Sequence, residues 1–375
     1  MTKKELSEIK KLYAQKDCSI RQMAGAYINA DGEILSTFGK TFLNLPDEEI
    51  YKYLEMLKKG LTGTLGKNIV TMDLSNESQR AGMANFLLRL KETDLKNNDM
   101  LMRFYEQCAS AYGVCQNICV LLIRNVYDVI HRNDDGVKDM DGADEVYDYL
   151  QCLVIAVKLE EPGLAYNKDD GSFTHKETRW CLDKPVYGFI YPSFEERSSD
   201  CTKITVYTKK ADGSYMGFFH KLLDTQEVKS AIEQQEDFTR IIETVVQGNE
   251  NGIQIAANLQ KGLVEKAEEG KPGELLNLTK DEISDILSSS GMNDEDVKIF
   301  EKAYEEQFKN EEIAAQNVIN LKELQIKTPD IVIRVKNGKM DVVSVKEIDG
   351  TKCIVIQVAH EEKVNVNGII LERKG

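Results

Sequence analysis

The stretch KPVYGFIYPSFEERSSDCTKITVYTKK, residues 184–210, organises the chain. Two runs within it, residues 188–192 and 203–210, have the β-branched and aromatic content of strands. A polar segment carrying Glu195, Glu196, Arg197 and Asp200 joins them. Composition also changes here. Mixed helix and strand patterns precede the stretch, and an almost purely helical pattern follows it. The predicted fold class is therefore α+β: a mixed α/β N-terminal domain with a central sheet over residues 1–213, an acidic helical region over 214–312, and a small antiparallel β module over 313–375.

Working back toward the N-terminus, residues 118–123 and 152–157 are short continuous apolar runs that suit buried central strands. Residues 23–29 and 34–38 pattern as strands around the turn Ala30-Asp31-Gly32. Leu6, Ile9, Leu12 and Tyr13 space as one face of a short helix. Pro46 followed by Asp47, Glu48 and Glu49 predicts a helix start, because carboxylates favour the positive end of the helix dipole. Two more helices are predicted over 76–92 and 97–112. Asp170-Gly171 reads as a hairpin tip.

Working forward, Tyr215, Phe218, Phe219, Leu222 and Leu223 form an apolar helical face, and helices are predicted over 228–247 and 253–268. Residues 269–273, EGKPG, read as a flexible break. Thr279 with Glu282 forms a capping box before an apolar run that stops near Gly291, and a second helix begins at Asn293. From residue 329 the pattern alternates, with Asn337-Gly338, Asp349-Gly350 and Asn367-Gly368 supplying the positive φ angles of tight hairpins. A small antiparallel meander or barrel-like module is expected there.

Composition narrows the function classes. The chain has 375 residues, 42% hydrophobic and 30% charged, with a net charge of −15, values ordinary for a folded protein of two or three domains. No apolar run approaches the roughly 20 residues of a bilayer span, and the basic N-terminal segment lacks a signal-peptide core. A cytoplasmic protein with no membrane association is expected. The region 214–310 carries twice as many acidic as basic residues, which repels phosphate backbones and makes direct nucleic-acid binding weak or absent.

Several motifs fail on inspection. The eight cysteines are scattered, Cys115-x3-Cys119 being the closest pair, and the four histidines are isolated, so no metal or other cofactor is expected. LTGTLGKN, residues 61–68, suggests a phosphate loop, but its glycine spacing is wrong and Asn68 replaces the magnesium-binding hydroxyl. A helix end and linking turn is expected instead. The aspartates of residues 131–145 lack the first-position Asp and twelfth-position Glu of a calcium loop. Residues 280–308 resemble a helix-turn-helix, but the second helix opens Asp294-Glu295-Asp296, which favours a plain helical hairpin.

The best local set of titratable groups is Glu195, Glu196, Arg197 and Asp200, with His220 and Asp224 one helix away. In an enzyme, Glu196 and Asp200 would act as an acid/base pair and Arg197 as an anion clamp, with His220 a further candidate. The alternative is a loop whose arginine is salt-bridged to a neighbour. Ser198-Ser199 has no histidine nearby in sequence; His131 and His175 are the distant candidates.

Four segments carry a family resemblance: TKKELSEIKKLYAQKDCSI (2–20), LTGTLGKN, GFIYPSFEERSSD (188–200) and CIVIQVAHEEKVNVNGI (353–369). With these the sequence resembles, over essentially its whole length, the 4317 family of domains of unknown function, found mostly in Gram-positive bacteria. The resemblance implies no activity. YTKK (207–210), FFHKLL (218–223) and DFTRIIETV (237–245) are similar in order to elements of a bacterial nucleoid-associated family, which would imply association with the nucleoid. The expected function is a non-enzymatic binding or scaffold protein acting through an unidentified protein partner. The alternatives are a nucleoid-associated protein and a hydrolase-like enzyme with its site at Glu196, Arg197 and Asp200.

Overall fold

The two apolar runs become the middle of a sheet. In this computed structural model β4 (Ile118–Val129) and β5 (Glu145–Leu159) pair antiparallel over twelve positions. Residues 1–14, 18–74, 80–113, 115–129, 145–223, 229–247, 249–269, 276–309, 311–320, 323–336, 339, 342–358, 363–366 and 369–371 are described. Ahead of β4 come β1 (Gln22–Ile28), β2 (Ile34–Thr41) and β3 (Ile69–Asp73). After β5 come β6 (Leu164–Asn167), β7 (Ser172–His175), β8 (Trp180–Tyr191), β9 (Ser193–Glu195), β10 (Ser198–Asp200) and β11 (Lys203–Thr208). Seven of these form one antiparallel sheet in the order β2-β1-β4-β5-β8-β11-β3.

Both faces of this sheet are covered. Ile118, Val120 and Leu122 pack into one core, and the alternate residues Cys119, Leu121 and Ile123 pack into the other. That period-2 split explains why the sequence run is continuously apolar rather than alternating. One face carries α1 (Lys3–Lys11) and α2 (Asp47–Lys59). The other carries α3 (Asn85–Glu92), α4 (Asn98–Tyr112) and α5 (Ser214–Leu223). The expected α2 start holds, with Ile50, Leu54 and Leu57 buried. The turn after it also holds: Asn68 accepts from the Thr64 N–H and donates to the Thr208 carbonyl, which ties the 60–68 loop to the sheet edge.

The first compact unit runs from Met1 to Glu233 and the second from Gln234 to Gly375. Composition placed the first break at residue 213, but α5 buries Phe218, Phe219, Leu222 and Leu223 in the sheet's core, with Phe218 stacked 4.6 Å from Tyr187. Those aromatic contacts hold α5 to the sheet despite its helical sequence pattern.

The second unit contains most of α6 (Ala231–Val246), then α7 (Gly252–Glu269), α8 (Lys280–Ser289) and α9 (Asp294–Phe308). Thr279 and Glu282 form the expected capping box, and Gly291, at φ +99°, ends that segment. Phe300, Tyr304 and Phe308 of α9 pack against Ile283 and Leu287 of α8 in one helical core. Two-residue strands, β12 (Asn277–Leu278) and β13 (Ile313–Ala314), tie the ends of this hairpin together.

The C-terminal strands are antiparallel as expected but do not join into the expected meander or barrel-like module. They form separate two-stranded ladders: β14 (Glu323–Lys327) with β15 (Val332–Lys336), β16 (Val343–Ile348) with β17 (Thr351–Ile356), and β18 (Val364–Val366) with β19 (Ile369–Leu371). The Asp349-Gly350 turn is present, with φ of +49° and +75°. The strand before Asn337-Gly338, however, pairs backward with β14. Leu324, Val335 and Val343 are buried among the helices, so the β14–β15 and β16–β17 ladders share the helical core. Asn337-Gly338, residues 360–362, Asn367-Gly368, the acidic segment from residue 131 to 144 and the 270–273 break lie outside the described residues.

Candidate functional site

The polar segment between β8 and β11 folds as a hairpin. Ser193 faces Asp200 and Glu195 faces Ser198, leaving Glu196 and Arg197 as a two-residue turn. Both turn residues are left-handed, at φ +50° and +63°. Such a turn matches the strand twist but favours Asn-Gly, so here the backbone carries strain that the surroundings must hold.

Helix α1 supplies the hold. The Arg197 N–H donates to Glu5 Oε1 at 3.0 Å, and the Arg197 guanidinium donates to Glu8 Oε2 at 3.0 Å. Glu5 also closes the α1 capping box, accepting from the Thr2 N–H at 2.7 Å. One carboxylate therefore starts the helix and grips the turn. On the other side Glu195 accepts from the Met1 amine at 2.6 Å and from Lys203 Nζ at 2.7 Å. Asp200 accepts from the Thr202 N–H at 2.8 Å and lies 3.6 Å from Lys203 Nζ.

These partners fix the ionisation. Burial pushes the Glu195 and Asp200 carboxyls up, but Lys203, the Met1 amine and the Thr202 donors outweigh it and hold both below the ordinary carboxylate range. A general acid or base works best with its pKa near the operating pH, so these two carboxylates are poised as permanent anions in an ion network. Glu196 is exposed at the turn. His220 lies on α5, in the helix layer of the opposite sheet face. The structure thus brings Glu195, Arg197 and Asp200 together and leaves His220 elsewhere. Asp224 and His131 fall outside the described residues.

Beneath the hairpin is a buried polar network that sequence reading missed. Phe194 packs on Tyr147 with ring centroids 4.5 Å apart, and Tyr147 stacks on Tyr149 at 4.7 Å. Tyr147 donates to the Pro192 carbonyl at 2.7 Å. The Tyr149 hydroxyl meets that of Tyr13 at 3.0 Å and accepts from Asn125 Nδ2 at 2.9 Å, while Tyr13 donates to Gln151. Burial raises all three tyrosines, which keeps them protonated and able to donate. Glu5 had a local signal, the capping box with Thr2; Glu8 and the Tyr13 partners, the latter 136 and 138 residues away, had none.

A family model for a domain of unknown function, DUF4317, matches residues 1–369. The chain belongs to this family. No curated protein matches it. Two of the DUF4317-like segments, residues 2–20 and 188–200, supply the two halves of the clamp: α1 on one side and the β9–β10 hairpin on the other.

The clamp has a measurable acid limit. Since the folded carboxyls titrate below their ordinary values of 4.5 and 3.8, their contribution is complete above those values and is lost as pH falls through the lower folded ones. Arg197→Ala should remove about 1 kcal/mol at pH 7, consistent with a partly exposed ion pair. Urea midpoints of the parent and the variant at pH 7 check this; equal midpoints would contradict it.

Proposed function

We propose that this protein is a cytoplasmic, non-enzymatic binding protein that works through contact with a protein partner. The supporting observation is the β6–β7 hairpin. Tyr166 pairs across to Phe173 and Leu164 to His175, so these four residues share one face. Leu164 is 72% exposed, Phe173 69% and Tyr166 57%, and Trp180 at the start of β8 is 55% exposed. The Tyr166 and Phe173 rings lie 5.5 Å apart and form a small aromatic surface in solvent.

A two-stranded hairpin is marginal alone in water, and aromatic residues grouped on an exposed face are the side chains that anchor interfaces. Glu160 and Lys176, paired at 2.9 Å, supply the polar rim that commonly surrounds such a patch. The ion-paired state of Glu195 and Asp200 supports the same reading, since it leaves the β9–β10 cluster serving to hold α1.

The test uses the full chain with Tyr166→Ser and Phe173→Ser combined. Both side chains are exposed, so the melting temperature should stay nearly unchanged. A photo-crosslinker at Leu164 in host cells should capture a defined protein with the parent chain, and at least about tenfold less with the double variant, as expected for lost aromatic anchors. Equal capture by both would reject the proposal. Sub-micromolar duplex DNA binding that survives physiological salt would replace it with the nucleoid reading.

A further inference from the structure

β2 is an edge of the seven-stranded sheet, and among the described residues it pairs on one side, with β1. Just past the Gln22–Thr41 pair, the Phe42 N–H donates to the Arg21 carbonyl at 2.9 Å. Antiparallel ladders alternate, so Lys40, Phe38 and Ser36 also turn their backbone groups toward β1, and Thr41, Gly39 and Thr37 turn theirs outward. Among the described residues no backbone group meets the outward ones. The opposite edge differs. β3 has five residues, and its Ile69 carbonyl and N–H are already bonded to Gly66 and Thr64 of the preceding loop.

A bare edge templates pairing, and proteins guard such strands with proline, charge or a covering element. β2, ILSTFGKT, has no proline, and six of its eight residues are exposed. Two clefts of about 280 and 530 Å³ lie between it and α4 and share Met102, so no described element fills that flank. The strand's single charge is Lys40, near its end, and the turn that opens it carries Asp31 and Glu33. Lys40 sits 3.8 Å from Glu49, a long contact for an ion pair. Asp31 and Glu33 are both exposed, and Glu33 accepts from Asn29 Nδ2 at 2.9 Å.

We propose that β2 pairs antiparallel with β2 of a second copy of this chain, giving a two-fold dimer whose sheet runs through both protomers. Charge selects this occupant. An antiparallel two-fold sets the Lys40 end of each strand beside the Asp31-Gly32-Glu33 turn of its mate, and does so twice per dimer. Opposite charges across paired strands stabilise them, and a parallel pairing would instead bring Lys40 against Lys40. The rest of the strand is β-branched, aromatic or small, which suits a ladder. The contact is also closed: a two-fold consumes both β2 edges, and the loop-bonded start of β3 offers no equivalent edge for growth.

Sedimentation equilibrium of the full chain from about 1 to 100 µM, a span that covers weak specific dimers, is the test. The parent should reach twice the chain's mass and stop there. Thr37→Pro removes an outward N–H and keeps the β1 hydrogen bonds, a place where an edge strand accepts proline. It should weaken the dimer at least about tenfold, since the two-fold loses that hydrogen bond twice, with the parent's circular dichroism kept. Lys40→Glu should weaken it about tenfold through like-charge opposition, and adding Glu33→Lys should restore the parent's value. A parent that stays monomeric at about 100 µM overturns the proposal, and species that grow beyond the dimer overturn the two-fold. Undiminished dimers of folded Thr37→Pro overturn the location, and undiminished dimers of Lys40→Glu overturn the charge pairing. A photo-crosslinker at Leu35, which is 55% exposed, should join two copies of the chain in host cells. A product with a different protein gives the edge to that partner and overturns the second copy.

Discussion

Tyr149→Ala should destabilise the first unit by about 4 kcal/mol, the scale set by aromatic-to-alanine changes in packed cores. Tyr149 is fully buried and stacked on Tyr147, so truncation leaves a void that the sheet cannot close. It also strips an acceptor from Asn125 and a hydrogen-bonding neighbour from Tyr13, both buried. Tyr149→Phe keeps the ring and should lose about 1–3 kcal/mol, the cost of leaving polar partners unmet. Urea unfolding followed by circular dichroism would show a lower midpoint at an unchanged slope. An alanine variant within about 1 kcal/mol of the parent would mean that the network carries no stability.

The same tyrosines set an alkaline limit. Their folded pKa values lie above the ordinary value of 10.0, so their contribution is complete below that value. It falls as pH rises from there toward the higher folded values, because the unfolded chain loses those protons first.

The second large effect concerns the C-terminal ladders. A fragment of residues 323–375 should show no protected amides, although residues 234–375 together should protect β14–β17. Each ladder has two strands, and a lone hairpin of that size is marginal in water. Leu324, Val335 and Val343, the ladder residues that are buried, are covered by the core that holds Phe300 and Tyr304. Removing the helices exposes those side chains and with them the reason for the strands to pair. Hydrogen exchange read by mass spectrometry settles the matter. Protected strands in the short fragment would restore the independent β module suggested by sequence.

What the sequence made legible was local. Apolar runs marked β4 and β5 because burial on both faces leaves no polar alternation to obscure them. The α2 and α8 starts were legible because caps act within one turn. Strand partnering was not legible. Asn337-Gly338 offered a turn of the right chemistry, yet β15 pairs with β14, a strand whose alternation in ELQIK is interrupted by its charged ends. The charged segment at 195–200 was visible as a cluster, but its meaning rests on Glu5 and Glu8, 192 and 189 residues from Arg197. Charge alone cannot show whether a carboxylate is poised for chemistry or already satisfied; only its partners do.

Sheet order also dictates a schedule. β3 is synthesised before residue 75, yet among the described residues its strand neighbour in the sheet is β11, where Ile69 faces Tyr207. The α1 contacts likewise wait for residues 195–197. A ribosome must therefore release about two hundred residues before the first strand edges and the N-terminal helix can close. Until then β4 and β5 can zip together as neighbours, while an apolar helix and an open edge remain unpartnered. Such a nascent chain depends on rapid completion or on a holdase, since exposed edges and unburied apolar faces invite aggregation.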